Sequence, residues 1–286
     1  MNPLAITLGD PAGIGAEVVH KALRDLDVPV RLFGEVHGNI RYGEISAENG
    51  RVALKAIDDA LDAIKRGECS ALVTAPIHKQ AIALAGSPFP GHTELLASRA
   101  GLKRYAHDYA MYFDSPSIRT VLLSVHEPLI KAIASIDAED IAALARLTAR
   151  EFARLYGKAP RIGVAGVNPH AGEGGRFGDE EQIIAQGVKM ASGIEISGPH
   201  PADTLFLAAR EGKYDVILAM YHDQGLIPVK TLDFAQSVNV TIGLPYLRVS
   251  VDHGTAFDIA GKDVANAAPM RYAIEWAARH AEKFAS

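Results

Sequence analysis

Val216-Ile217-Leu218-Ala219-Met220-Tyr221-His222-Asp223-Gln224-Gly225 passes from an unbroken apolar run to a polar cluster and a glycine. A run of this kind reads as a short strand that ends in a turn. Val121-Leu122-Leu123-Ser124-Val125-His126 and Val164-Ala165-Gly166-Val167-Asn168-Pro169-His170-Ala171-Gly172-Glu173-Gly174-Gly175 repeat the layout, each with a histidine just past the apolar residues. Strand-like segments recur at 4–8, 30–33, 71–74, 110–113, 120–125, 161–167, 214–220, 237–242 and 247–251. Amphipathic stretches of helical period fit between many of them, most clearly at 52–65, 138–155 and 270–284. The alternation predicts an α/β fold with a mostly parallel sheet, because parallel neighbours need a crossover that a helix usually supplies.

In a parallel sheet the carboxyl ends of the strands open onto one crevice, so His126, His170 and His222 can converge there. A divalent metal is the candidate for the point of convergence, since neutral imidazole is the commonest metal ligand. Each histidine taken alone reads better as a hydrogen-bonded loop residue than as a ligand, and it is the three together at strand ends that bring the metal reading level with it. Glu127, Glu173 and Asp223 stand close by and are expected to orient ligand rings or tune their charge.

The chain has 286 residues, 48% of them hydrophobic and 22% charged, enough for a large core and for two domains. A net charge of -5 leaves no overall electrostatic footprint for nucleic acid or an anionic membrane. No apolar run is long enough to span a bilayer, and the N-terminus lacks a signal-peptide layout, so the cytoplasm is the expected compartment. Cys69 is the only cysteine, which excludes an intrachain disulfide and zinc-ribbon chemistry.

Gly9-Asp10-Pro11-Ala12-Gly13-Ile14-Gly15 lies between a strand and a helix. It reads either as an anion site at the helix N-terminus or as a tight turn with Asp10 as the cap. Gly91-His92-Thr93-Glu94 offers the same choice, and Lys79 is either a ligand contact or an exposed turn lysine. Lys230, Asn239 and Arg248 suit a phosphate or carboxylate, although Lys230 taken by itself reads better as a solvated surface lysine. Arg248 sits within an apolar strand-like run, where a charge needs a partner or a ligand.

The string Asp252-His253-Gly254-Thr255-Ala256-Phe257-Asp258-Ile259-Ala260-Gly261-Lys262-Asp263-Val264-Ala265-Asn266 resembles the nucleotide-binding loop of the isocitrate and isopropylmalate dehydrogenases. Together with Gly91-His92-Thr93-Glu94, Asn168-Pro169-His170-Ala171-Gly172-Glu173, Pro201-Ala202-Asp203-Thr204 and Tyr221-His222-Asp223-Gln224-Gly225, the chain resembles the 4-hydroxythreonine-4-phosphate dehydrogenase family of vitamin B6 synthesis over nearly its whole length.

The resemblance implies two α/β/α lobes with mixed, mostly parallel sheets and the active site in the cleft between them. Residues 1–115 with 240–286 would form the NAD-binding lobe, and 116–239 the metal-binding and dimerisation lobe. It implies His126, His170 and His222 as metal ligands, and His92, Thr93, Lys230, Asn239 and Arg248 as substrate contacts. His253, Gly254, Thr255 and Asn266 would hold NAD, in a homodimer whose partner completes the site. The metal would be zinc, or magnesium, cobalt, nickel or manganese, and Asp203, Asp223 and Lys230 are the candidates for the general base. The expected reaction is oxidation of the secondary alcohol of 4-phosphohydroxy-L-threonine to a β-keto acid that loses carbon dioxide. The chain is shorter than typical biosynthetic members around 33–49, and Ser87-Pro88-Phe89-Pro90 precedes the Gly-His-Thr-Glu motif. Phosphorylated four-carbon sugar acids and dihydrodiol carboxylates therefore stay as alternative substrates. A tris-histidine hydrolase that activates water, or a binding protein without catalysis, is the alternative of a different class.

Overall fold

The computed structural model describes residues 2–35, 38 and 40–284. Residues 36, 37 and 39, inside the shortened segment at 33–49, lie outside the described residues. The chain forms two compact units, one made of Met1–Gly101, Ala235–Val240 and Leu244–Ser286, the other of Leu102–Phe234 and Thr241–Gly243.

In unit 1 the order is β1 (Leu4–Thr7), α1 (Gly15–Ala22), β2 (Val30–Phe33), α2 (Ala47–Lys65), β3 (Leu72–Thr74), α3 (Lys79–Leu84) and α4 (His92–Arg99). Unit 2 continues with β4 (Ala110–Asp114), β5 (Arg119–Leu122), α5 (Leu129–Ala134), α6 (Ala138–Tyr156), β6 (Ile162–Ala165), α7 (Glu180–Met190), β7 (Ile196–His200), α8 (Ala202–Arg210), β8 (Val216–Ala219) and α9 (His222–Asp233). The chain changes units within β9 (Val238–Ile242) and ends through β10 (Arg248–Ser250) and α10 (Ala268–His280).

The strand order in unit 1 is β2-β1-β3-β10-β9, with β9 alone antiparallel to its neighbour. Leu4, Ala5, Ile6, Leu72 and Val73 are fully buried, as expected of parallel strands covered on both faces. In unit 2 the order is β4-β5-β8-β6-β7, with β4 antiparallel and the rest parallel. The mixed, mostly parallel α/β architecture is the one the sequence predicts. β4, assigned to the first lobe from sequence, belongs to unit 2 because its backbone pairs with β5.

Local chemistry sets several boundaries. Asp137 caps α6 by accepting from the Glu139 and Asp140 N–H groups, and Gly157 ends that helix in the left-handed region. α2 starts five residues before the predicted 52, because the Ser46 hydroxyl caps it by accepting from the Asn49 N–H at 3.1 Å. β7 is absent from the predicted strands. Its Gly198-Pro199 pair reads as a turn, yet proline is tolerated because β7 is an edge strand that pairs only with β6.

Candidate functional site

β5, β8 and β6 are neighbours in the sheet of unit 2, so the loops that carry His126, His222 and His170 leave the carboxyl ends of three adjacent parallel strands. The His126 and His222 rings lie with centroids 5.6 Å apart and planes tilted by 46°. Both line a cavity of about 420 Å³ with Glu127, Leu129, Tyr221 and Asp223. His222 opens α9, and its Nδ1 meets Asp223 Oδ1 at 2.7 Å, which leaves Nε2 as the nitrogen available for ligation. His170 is arranged in the same way, with Nδ1 2.9 Å from Glu173 Oε2. A carboxylate on the far ring nitrogen is the usual device for fixing the tautomer and direction of a metal-ligating imidazole. Glu127 behaves differently and pairs with Lys131 at 3.4 Å.

The structure brings two of the three histidines together and leaves the third apart. Among the described residues no group of three His, Cys, Asp or Glu side chains is placed to hold a metal ion. The reason lies in the sheet order and in the backbone, since β8 separates β5 from β6 and His170 belongs to an unusual turn. Residues 170–174 all have positive φ, including His170 at 54°, Ala171 at 51° and Glu173 at 44°. L-residues adopt this conformation at a cost of about 1–2 kcal/mol each, so the surroundings must impose it. Glu181 on α7 anchors the segment that leads into this turn. Its Oε1 accepts from the Val167 and Asn168 N–H groups at 2.9 and 2.7 Å, and its Oε2 accepts from Asn168 Nδ2 at 2.9 Å. Burial pushes the Glu181 carboxyl up, but these hydrogen bonds outweigh it and leave the group below its ordinary value. The sequence gives no local signal for Glu181, which stands thirteen residues after Asn168.

Unit 1 gathers a second polar group. Register pairs Thr7 with Thr74, Thr74 with Ser250, and Ser250 with Asn239, which puts four buried polar side chains in one row on one face of the sheet. Arg248 is two residues before Ser250 and so shares that face. It is 2% exposed and donates from Nη2 to Thr74 Oγ1 at 2.8 Å. Burial lowers its pKa to about 10, so it stays cationic at neutral pH. His92 is held well below its ordinary value by burial and then by the Arg248 charge, so its imidazole is neutral. Buried His92 Nε2, Asn239 Oδ1 and Tyr246 Oη have no hydrogen-bond partner among the described residues. Polar atoms desolvated in this way are costly unless a ligand satisfies them. His92, Thr93, Asn239 and Arg248 thus share one unit. Lys230 belongs to α9 of the other unit.

The loop that resembles a nucleotide site packs against the opening turn. Ile14 N–H donates to Thr255 O at 3.0 Å, and the His78 ring stacks on Phe257 with centroids 4.7 Å apart. Gly9 is required where it stands, since φ is +73° and a Cβ would meet Pro76 O at 2.2 Å. Asp10 caps no helix; its Oδ1 accepts from the Ala12 N–H within the turn at 2.9 Å. The far end of the loop is fastened to α1. Lys21 Nζ bonds Glu17 at 2.8 Å and Asp263 Oδ1 at 2.9 Å, and Glu17 accepts from the Ala265 N–H at 2.7 Å. A cavity of about 460 Å³ opens beside it, lined by Gly13, Glu17, His20, Tyr42 and Asp263 among others. In the same loop His253 Nδ1 meets Gly254 O at 3.0 Å, its Nε2 is buried without a hydrogen-bond partner among the described residues, and Gly254 is exposed. Asn266 caps the next segment by accepting from the Ala268 N–H. Among the other candidates, Lys79 is exposed at the first position of α3 and not in a turn, and Asp203 is exposed in the first turn of α8.

A family model described as pyridoxal phosphate biosynthetic protein PdxA matches residues 12–277. The chain belongs to the PdxA family. It is 42% identical to the 4-hydroxythreonine-4-phosphate dehydrogenase of Beijerinckia indica, over 97% of this chain and 95% of that one. It is also 37% identical to the D-threonate 4-phosphate dehydrogenase of Salmonella typhimurium, over 96% of this chain and 97% of that one. A crystal structure of 4-hydroxythreonine-4-phosphate dehydrogenase from Klebsiella pneumoniae superposes with a TM-score of 0.86 at 36% identity, covering 98% of this chain and all of the other. Among the described residues no helix is long and apolar enough to cross a membrane.

Proposed function

We propose that this PdxA-family chain is a dehydrogenase that oxidises the secondary alcohol of 4-phosphohydroxy-L-threonine with NAD and a divalent metal. The β-keto acid formed then loses carbon dioxide to give 3-amino-2-oxopropyl phosphate. The observation that carries this reading is the buried cation Arg248 beside the unpartnered His92 Nε2 and Asn239 Oδ1, a setting that suits an anionic substrate rich in hydrogen-bonding groups. Thr93 and Lys230 complete the substrate contacts.

His126, His170 and His222 would hold the metal, and the carboxylate-bound rings of His170 and His222 fit that role. A bound divalent cation would supply Lewis-acid stabilisation of negative charge at the substrate's oxygen. Asp223, bonded to His222 Nδ1, orients that ring, and Asp203 or Lys230 takes the proton. His253, Gly254, Thr255 and Asn266 would line the NAD site, where the unpartnered His253 Nε2 suits a polar cofactor. The active form is a homodimer in a cytoplasmic setting. Support comes from the large apolar side chains that unit 2 exposes, with Ile130 at 83%, Ile227 at 61% and Phe234 at 52%.

D-threonate 4-phosphate is the second reading, because a curated relative at 37% identity carries that name. The test is NADH absorbance after adding NAD, a divalent metal and each phosphorylated substrate in turn. NADH from 4-phosphohydroxy-L-threonine is the expected result. NADH from D-threonate 4-phosphate alone would move the substrate, and none from any anionic hydroxy acid would overturn the dehydrogenase reading.

A further inference from the structure

We propose that Gln224 is a positioning residue that fixes the three histidine-bearing loops of unit 2 relative to one another. The sheet does this only in part, since the Leu123 N–H still donates to Ala219 O at 2.8 Å but the pairing stops short of the histidines. The last paired positions are Leu122 with Ala219 and Val164 with Leu218, so the strand ladder ends before any of the three loops begins to turn.

A buried chain of hydrogen bonds continues where the ladder stops. Gln224 is 9% exposed and stands in the first turn of α9, two residues after His222. Its Oε1 accepts from the Met220 N–H at 2.7 Å, at the end of β8. Its Nε2 donates to Gly166 O at 2.7 Å, just past β6 and four residues before His170. Met220 O accepts in turn from Ser124 Oγ at 3.0 Å, and Ser124 is two residues before His126. One side chain therefore joins the His222 loop to the His170 loop, and through Met220 to the His126 loop.

The chemistry selects an amide. One planar head must offer an acceptor to an N–H and a donor to a carbonyl, and Gln does both. Glutamate at this position would turn a carboxylate oxygen toward Gly166 O. Methionine would keep the length and leave both backbone groups buried without a partner.

Hydrogen exchange on the intact, metal-free protein tests the brace directly. In Q224M, exchange is expected to quicken by about tenfold or more at 123–128 and 166–176 as well as at 220–226. Quickening confined to 220–226 would overturn the proposal. S124A should quicken exchange at 123–128 and S124T should restore it, and S124A matching the wild type would refute the link to the His126 loop; if Q224M fails to fold, Q224E takes its place, with quickened exchange expected at 166–176 and wild-type exchange there overturning the proposal. A second readout rests on the proposed metal reading. Titration with cobalt(II), followed by visible absorbance, should show affinity weakened by about 10–100-fold in Q224M and Q224E. Unchanged affinity in both would count against the brace. If the wild type binds no cobalt, the metal reading falls and the exchange result alone decides the role of Gln224.

Discussion

Arg248 donates from Nη2 to Thr74 Oγ1 at 2.8 Å across two neighbouring parallel strands, so this buried guanidinium is oriented from within its own sheet. The hydroxyl fixes one nitrogen of the fork and adds no charge of its own to that of the guanidinium.

Arg248→Met removes that charge while keeping the apolar stem. We expect kcat/KM for the phosphorylated substrate to fall by about 10–150-fold, the value of a hydrogen bond to a charged group. Arg248→Lys should recover only part of the loss, because an ammonium lacks the planar fork. Steady-state kinetics decide it, and a Met variant with wild-type kcat/KM would take Arg248 out of the substrate site.

Replacing His170 probes the ligand set in a complementary way. His170→Ala should abolish turnover and remove the rise in melting temperature caused by divalent metal, while size-exclusion chromatography still reports a dimer. Retention of the full metal-dependent shift would remove His170 from the ligands.

Glu17 joins α1 to the loop that runs from 253 to 266, through Lys21 and the Ala265 N–H. Glu17→Gln weakens both contacts without changing the size of the side chain. KM for NAD is expected to rise several-fold with kcat and the substrate KM nearly unchanged. A rise in both KM values would point to a general loosening of unit 1.

Asp215 accepts from the Arg161 N–H and Nε and from Lys158 Nζ, each at 2.9 Å. Burial pushes its carboxyl up, but these cations and the backbone donor outweigh it and leave the group well below its ordinary value. A depressed folded-state pKa gives stabilisation that is complete above the unfolded carboxylate's value, near ~4, and is lost as pH falls toward the folded one. Asp215→Asn should therefore cost about 1–3 kcal/mol at neutral pH, with the gap from wild type narrowing below about pH 4. Urea unfolding at pH ~7 and pH ~3 measures it; a gap that stays constant would mean that charge is not its source.

Periodicity was enough to place most strands and the long helices, because burial on both faces writes continuous apolar runs such as 216–220 into the chain. β7 escaped notice because Gly198 and Pro199 carry turn chemistry in an edge position. Of the two readings of the first loop, the one with Asp10 as the cap changes in the structure, where Ile14 occupies the cap position and Asp10 braces the turn before it. In the candidate site, the carboxylates near His170 and His222 were legible because they lie three and one residues away. Glu181 and Gln224 were not, since their partners are brought to them by α7 and by the pairing of β6 with β8.

The sequence by itself determined the α/β class, the position of each candidate histidine past a strand, and the family motifs. These depend on neighbours along the chain, where periodicity and turn chemistry act. Only the tertiary structure decided that His126 and His222 face one cavity while His170 stands in a strained left-handed turn. It also decided that Arg248, Thr74, Ser250 and Asn239 share one face of a sheet. Strand order and register fix which distant residues meet, and both are set by packing over the whole unit, which no local run of residues encodes.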